Sequence, residues 1–266
     1  MTVWLLGYAA LGLFSGFVAG LLGVGGGAVM VPVLTMLFAA QGFPESEILH
    51  LALGTSMATI IFTSISSTRA HHAHGAVLWP VVRGVAPGII VGTLAAAQFA
   101  VRVPTRPLAL FFCAFIAYVA VQMILNIKPK PHRELPGPIG LSAAGLVIGG
   151  VSALVAIGGG SLSVPFMTWC NVQVQKAIAT SAAIGFPIAV AGTVGYLIGG
   201  YGHAGLPAGS VGFIFLPALA CLLVTSMLTA PLGARLAHRL PVPLLKKIFA
   251  GVLVLLAGKM LSGLFF

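Results

Sequence analysis

The chain has 266 residues, 59% of them hydrophobic and only 6% charged, with a mean hydropathy of +1.12. A soluble domain carries about 25% charged residues, so this chain cannot clothe itself for water and reads as an integral membrane protein. Its formal charge of +10 comes from thirteen Lys and Arg spread over short loops. There is no basic domain to dock a duplex, so the charge serves topology and not nucleic-acid binding.

The apolar runs are long and lack the ten-residue alternation of an outer-membrane barrel, so helices span the bilayer. Cys113, Cys170 and Cys221 form no CxxC pair or disulfide framework and read as packing residues. The opening MTVWLLGYAALGLF has no basic flank or Ala-x-Ala site and is expected to be a retained first span. In chain order, a full helix is expected over 3–22, then a glycine break, then a short helix over 28–40. Three ordinary spans follow over 48–68, 77–101 and 107–127. The second half repeats the order: a span over 139–155, a break, a short helix over 161–171, and spans over 177–199, 210–236 and 243–265.

The halves are copies of one unit. VGGGAVMVP at 24–32 and IGGGSLSVP at 157–165 share three glycines, a valine and a proline. Gly16 and Gly149 precede them at equal offset, GTS at 54–56 matches ATS at 179–181, and RVP at 102–104 matches RLP at 239–241. Repeated marks in one order identify a duplicated fold: membrane repeat 1 over 1–127, a proline-rich cytoplasmic linker over 128–138, and membrane repeat 2 over 139–266. With the broken pair counted as two passes, each half crosses five times, so the repeats are inverted. Placing the linker inside puts Arg69, Arg83, Lys128, Lys130, Arg133, Lys176, Arg235, Arg239, Lys246 and Lys247 on the cytoplasmic side. Only Arg102, Arg106 and Lys259 fall outside, together with Glu45 and Glu47. That asymmetry obeys the positive-inside rule. Both termini then face outward.

An inverted repeat with a broken helix in each half is a common secondary-transporter architecture. An opened helix start carries partial positive charge and unbonded N–H groups, and glycine lets an anion approach them. Gly25, Gly26 and Gly27 precede one short helix; Gly158, Gly159 and Gly160 precede the other, with Ser161 adding a hydroxyl. Pro32 and Pro165 fall in the first turns, where a missing N–H costs little. Glycine packing between helices explains a single triplet as well. Two triplets at matching places favour a site for a small anionic substrate.

The doubled GGG-x-x-x-VP, the Thr-Ser pair downstream and the R-x-P before the last span resemble the sulfite exporter TauE/SafE family of membrane permeases. The resemblance covers nearly the whole chain. It implies transport, usually export, of small sulfur-containing anions such as sulfite, sulfonates or sulfoacetate across the bacterial inner membrane, with no enzymatic activity and no cofactor. Carried over by position, the implied site motifs are Gly25–Gly27 with Thr55 and Ser56, and Gly158–Gly160 with Thr180 and Ser181. The halves differ in hydroxyls. The stripe Thr55, Thr59, Thr63 and Ser67 corresponds to Thr180, Ile184, Ile188 and Gly192, so the site is expected to be lopsided.

Other polar residues carry two readings each. Thr55, Ser56, Thr180 and Ser181 suit either the site or helix–helix hydrogen bonds. Arg83 either neutralises the anion or snorkels at a membrane edge marked by Trp79 and Pro80. RAHHAH at 69–74 reads as a solvated loop, not a metal site, and His50 as a minor proton-relay candidate. The chain has no Asp, and Glu45, Glu47 and Glu134 all lie in loops, so the usual intramembrane carboxylate relay has no residues to use. There is no P-loop. Catalysis through Ser161 and His203 lacks a nucleophile frame; an anion channel and a purely structural membrane subunit are the alternatives to a carrier. If both termini are external, cysteines introduced at Gly42 and Gly205 will react with impermeant reagent from outside and one at His132 will not. The reverse pattern would overturn the orientation.

Overall fold

The structure is a computed structural model that describes residues 2–23, 25–125, 134–203, 205–237 and 242–265. The RLP mark and most of the 128–138 linker lie outside the described residues. The helices are α1 (Thr2–Leu22), α2 (Gly27–Ala40), α3 (Glu45–Ala73), α4 (Trp79–Ala100), α5 (Thr105–Ile124), α6 (Pro138–Val155), α7 (Gly160–Trp169), α8 (Val174–Gly199), α9 (Leu216–Ala237) and α10 (Val242–Phe265). Seven of them (α1, α3, α4, α5, α6, α8 and α9) are long and apolar enough to cross a membrane. α10 matches them in length but carries Lys246, Lys247 and Lys259. At about 1.5 Å per residue, α2 and α7 reach only about 21 and 15 Å, short of a hydrocarbon core of about 30 Å.

Local chemistry sets the element ends. Pro44 and Pro104 stand immediately before α3 and α5, and Pro80 and Pro138 occupy the first turns of α4 and α6, where no N–H partner is needed. The two short helices have matching ends. Each starts after a left-handed glycine, Gly26 (φ 78°) or Gly159 (φ 80°), and each is followed by a left-handed residue, Gly42 (φ 75°) or Asn171 (φ 63°). The duplicated sequence therefore repeats a backbone path as well. Two elements differ from expectation. α3 runs over Glu45–Ala73 instead of 48–68, so Arg69–Ala73, expected as a solvated loop, are helical with His71 buried, and Glu45 and Glu47, also expected in a loop, form its first turn. The span expected from Ser210 begins at Leu216, because Ser210–Val211 and Ile214–Phe215 pair as a small antiparallel hairpin that turns at Gly212 (φ 55°).

The repeats are not separate bodies. The most extensive contacts join helices of opposite halves: α1 with α9, α6 with α4, α3 with α8, α4 with α8, α3 with α9, and α10 with α5. Small residues make these seams close. A Cβ on Gly16 would lie 2.5 Å from Ser226 Cα, and one on Gly149 would lie 2.6 Å from the Ile89 carbonyl oxygen. In lipid, where no hydrophobic effect drives helices together, such close backbone approach supplies the packing. α3 and α8 form the centre; along α3, Ile48 through Ile60 are buried without interruption. Large apolar side chains such as Leu6, Phe99, Val147 and Leu255 point outward instead, which suits a lipid surround. Gly149→Leu should wedge α6 from α4 and cost about 1–3 kcal/mol or more, read as loss of monodisperse protein or a lowered Tm. Gly251→Ala, which meets open space, should be neutral. An unaffected Gly149→Leu protein would contradict this packing.

Candidate functional site

The two glycine breaks meet in the centre of the protein. A Cβ on Gly25 would lie 2.7 Å from Gly158 Cα and 2.8 Å from Gly158 N, and one on Gly27 would run into the Ala156 carbonyl. Gly26, a left-handed residue, faces the Ser15 carbonyl, and Gly159 faces Ile188. The α2 start is thus held against backbone from elsewhere, and the α7 start turns at a left-handed Gly159 packed on isoleucine side chains; both places favour glycine. Close packing alone accounts for these contacts, so the triplets by themselves do not require a ligand. Their surroundings go further. The first residues of both short helices (Gly27 and Ala28, Gly160 and Ser161) are buried, and neither start is capped by a side chain. A buried, uncapped helix start leaves N–H groups seeking a partner and a local positive potential.

Beside the breaks lies a niche of about 10 Å³ lined by Gly23, Gly25 and Gly158, by Thr63, Ser64 and Ser67 of α3, and by Ala182 and Gly185 of α8. Its volume is on the order of one water molecule. Every side-chain hydroxyl around it comes from α3, so the lopsidedness expected from the sequence applies here. Thr63 and Ser64 return their protons to carbonyls one turn back, Ile60 at 3.2 Å and Ile61 at 2.9 Å. Ser67 Oγ is buried and has no hydrogen-bond partner among the described residues. A hydroxyl buried without a partner costs roughly 1–3 kcal/mol, which makes it the atom most in need of a ligand. Gly23 belongs to the same cluster: its φ is 67°, and its carbonyl accepts a hydrogen bond of 3.1 Å from Ser181.

The other sequence-predicted residues take definite places. Thr55 and Thr180, equivalent positions in the repeats, do the same job. The Phe215 N–H donates to Thr55 Oγ1 at 3.0 Å, and the Leu78 N–H donates to Thr180 Oγ1 at 3.0 Å. Phe215 directly precedes α9 and Leu78 directly precedes α4, so each half's threonine receives the chain entering a long helix of the other half. Ser56 Oγ points to Met30 Sδ of α2 at 3.8 Å. Ser161 is buried in the first turn of α7, near the buried and unpartnered Ser163 Oγ. Arg83 is exposed on the first turns of α4 and is not among the niche residues, a placement that fits snorkelling. Gly23, Ser64 and Gly185 carry no signal of their own in the sequence; Thr63 and Ser67 do, as members of the hydroxyl stripe. No group of His, Cys, Asp or Glu able to hold a metal occurs among the described residues.

Apolar helices in spanning lengths, two broken near the centre around buried polar atoms, define a multi-pass α-helical membrane transporter. The comparisons place it further. Residues 8–260 match the sulfite exporter TauE/SafE family, and the chain belongs to that family. It is 36% identical over 250 residues to a probable membrane transporter protein of Haemophilus influenzae, spanning 94% of this chain and 95% of that one. It is 30% identical over 201 residues to the probable membrane transporter protein YunE of Bacillus subtilis, 66% and 72% of the two chains. A probable membrane transporter protein of Methanocaldococcus jannaschii is 26% identical over 180 residues, 65% of each. No solved structure matches. Thr55→Val strips a buried N–H of its acceptor and Thr180→Val a part-buried one, and each should cost about 1–3 kcal/mol, the first more than the second, read as a lowered Tm in detergent. An unchanged Tm in both would show these contacts to be idle.

Proposed function

We propose that the protein is a carrier for small anions, sulfite or organosulfur anions such as sulfonates and sulfoacetate, bound where the two breaks meet and moved by alternating access between inverted repeats. The observation that carries this reading is the buried, unpartnered Ser67 hydroxyl beside two uncapped helix starts. An oxyanion there would accept hydrogen bonds from Ser67 and from the opened N–H groups, and the two helix dipoles would favour its charge. Surrounding apolar helices keep water out, which strengthens each of these contacts.

The niche holds roughly one water, so an oxyanion several times larger requires the surrounding helices to part. The paired threonine contacts suit that need. One joins α3 to the hairpin before α9, the other joins α8 to the chain before α4, and each bridges the two repeats. Release of one at a time would open the site toward one side of the membrane. No carboxylate in the middle of a span is required, since Glu45 and Glu47 lie in the first turn of α3 and Glu134 precedes α6.

Flux of ³⁵S-sulfite into proteoliposomes tests the reading. Wild-type uptake should saturate. Ser67→Ala should weaken half-saturation by roughly tenfold or more, the worth of a hydrogen bond to a charged group, while the folded yield is kept. Arg83→Gln should remain near wild type. Unaltered uptake in Ser67→Ala would refute the site, and large non-saturating currents would replace the carrier with a channel.

A further inference from the structure

A large chamber lies away from the glycine breaks. A cavity of about 630 Å³ opens where the α2 interior, the start of α3, the α4–α5 connection and the last turns of α10 converge. Three cations line it: Arg102 and Arg106 from the loop and first turn of α5, and Lys259 from α10. These are also the only three basic residues that the charge pattern places outside the membrane. Two carboxylates share the lining, and one of them, Glu47, lies 3.4 Å from His203 Nε2. The walls between the charges are apolar, including Met36, Val103 and Met260. Low-dielectric walls focus the field of the cations into the chamber.

A second observation points inward from the floor. His50, also a lining residue, is 4% exposed. Its Nε2 faces two carbonyls, Ala100 at 3.1 Å and Val103 at 3.2 Å. Carbonyls only accept, so Nε2 carries the proton. Nδ1 is left buried without a partner among the described residues. His50 lies on α3, thirteen residues above Thr63, or about 20 Å along the helix axis. The buried hydroxyls of Thr55, Thr59, Thr63 and Ser67 descend from it at four-residue spacing.

We propose that this chamber is a second anion site, which collects a small soluble oxyanion on Arg102, Arg106 and Lys259 before it reaches the niche. Its place ahead of the niche rests on the carrier reading; the binding itself does not. Such a site is salt-sensitive, because its cations sit at an open mouth.

Arginine modification by phenylglyoxal, followed by peptide mass spectrometry on the purified full-length protein, tests the binding. Sodium sulfate, compared with sodium gluconate at equal ionic strength, should slow modification of Arg102 and Arg106 several-fold and leave Arg83 unchanged. Ser67→Ala should keep that protection. In proteoliposomes, R102Q/R106Q/K259Q should raise half-saturating external sulfite several-fold at unchanged maximal rate. Protection without any wild-type sulfite flux would support the chamber and count against the carrier reading. Equal modification of all three arginines with and without sulfate would overturn the chamber. So would protection supplied wholly by phosphatidylglycerol vesicles with no further effect of sulfate, since the occupant would then be lipid.

Discussion

Backbone meets backbone at Gly25 and Gly158, and the remaining architecture is arranged around that contact. A single methyl group at Gly25 would force the two breaks apart. Because they touch, two helix starts lie in the protein interior instead of in water, where lipid offers their N–H groups nothing. Irregular backbone at that depth survives only where protein or a cavity satisfies it, and the central pair α3 and α8 provides both. Ser181 donates to the Gly23 carbonyl beside one break, while α3 brings three hydroxyls to the niche between them.

Interlocking follows from the same contact. Neither half can bury its break alone, so the seams with the most contact run between halves, α1 on α9 and α6 on α4. Thr55 and Thr180 extend the exchange to the loops, each accepting from a backbone N–H more than a hundred residues away in sequence. A chain built this way has two equivalent joints at corresponding points of its repeats. The halves are not chemically equal, however. Where α3 offers Thr63 and Ser67, α8 offers Ile188 and Gly192, so the polar lining of the niche is one-sided although the fold around it is duplicated.

Much of this was legible in the sequence for identifiable reasons. Helix number and nearly every boundary followed from apolar run length and from prolines and glycines at the ends. The breaks stood out because three glycines interrupt an oily run twice. What stayed hidden depends on tertiary proximity. Nothing near Thr55 announces Phe215 as its partner, and nothing near Gly185 announces Gly158. The hairpin at Ser210–Phe215 reads as more span because its residues are apolar, and only the left-handed turn at Gly212 removes it from the helix. The stripe of Thr55, Thr59, Thr63 and Ser67 was visible as a pattern. Its division of labour, with Thr55 holding a loop and Ser67 lining the niche, was not.

The central claim is that the niche at the breaks opens to each side of the membrane in turn, with the threonine contacts holding it shut. Sided accessibility of a cysteine at Ser67, in a protein whose three native cysteines are replaced, measures this most directly. Impermeant thiol reagents should reach Ser67→Cys slowly from either side. Adding Thr55→Val should speed reaction from the side of the hairpin, and adding Thr180→Val should speed it from the opposite side. Reaction from one side only, at a rate that neither threonine substitution changes, would contradict the account.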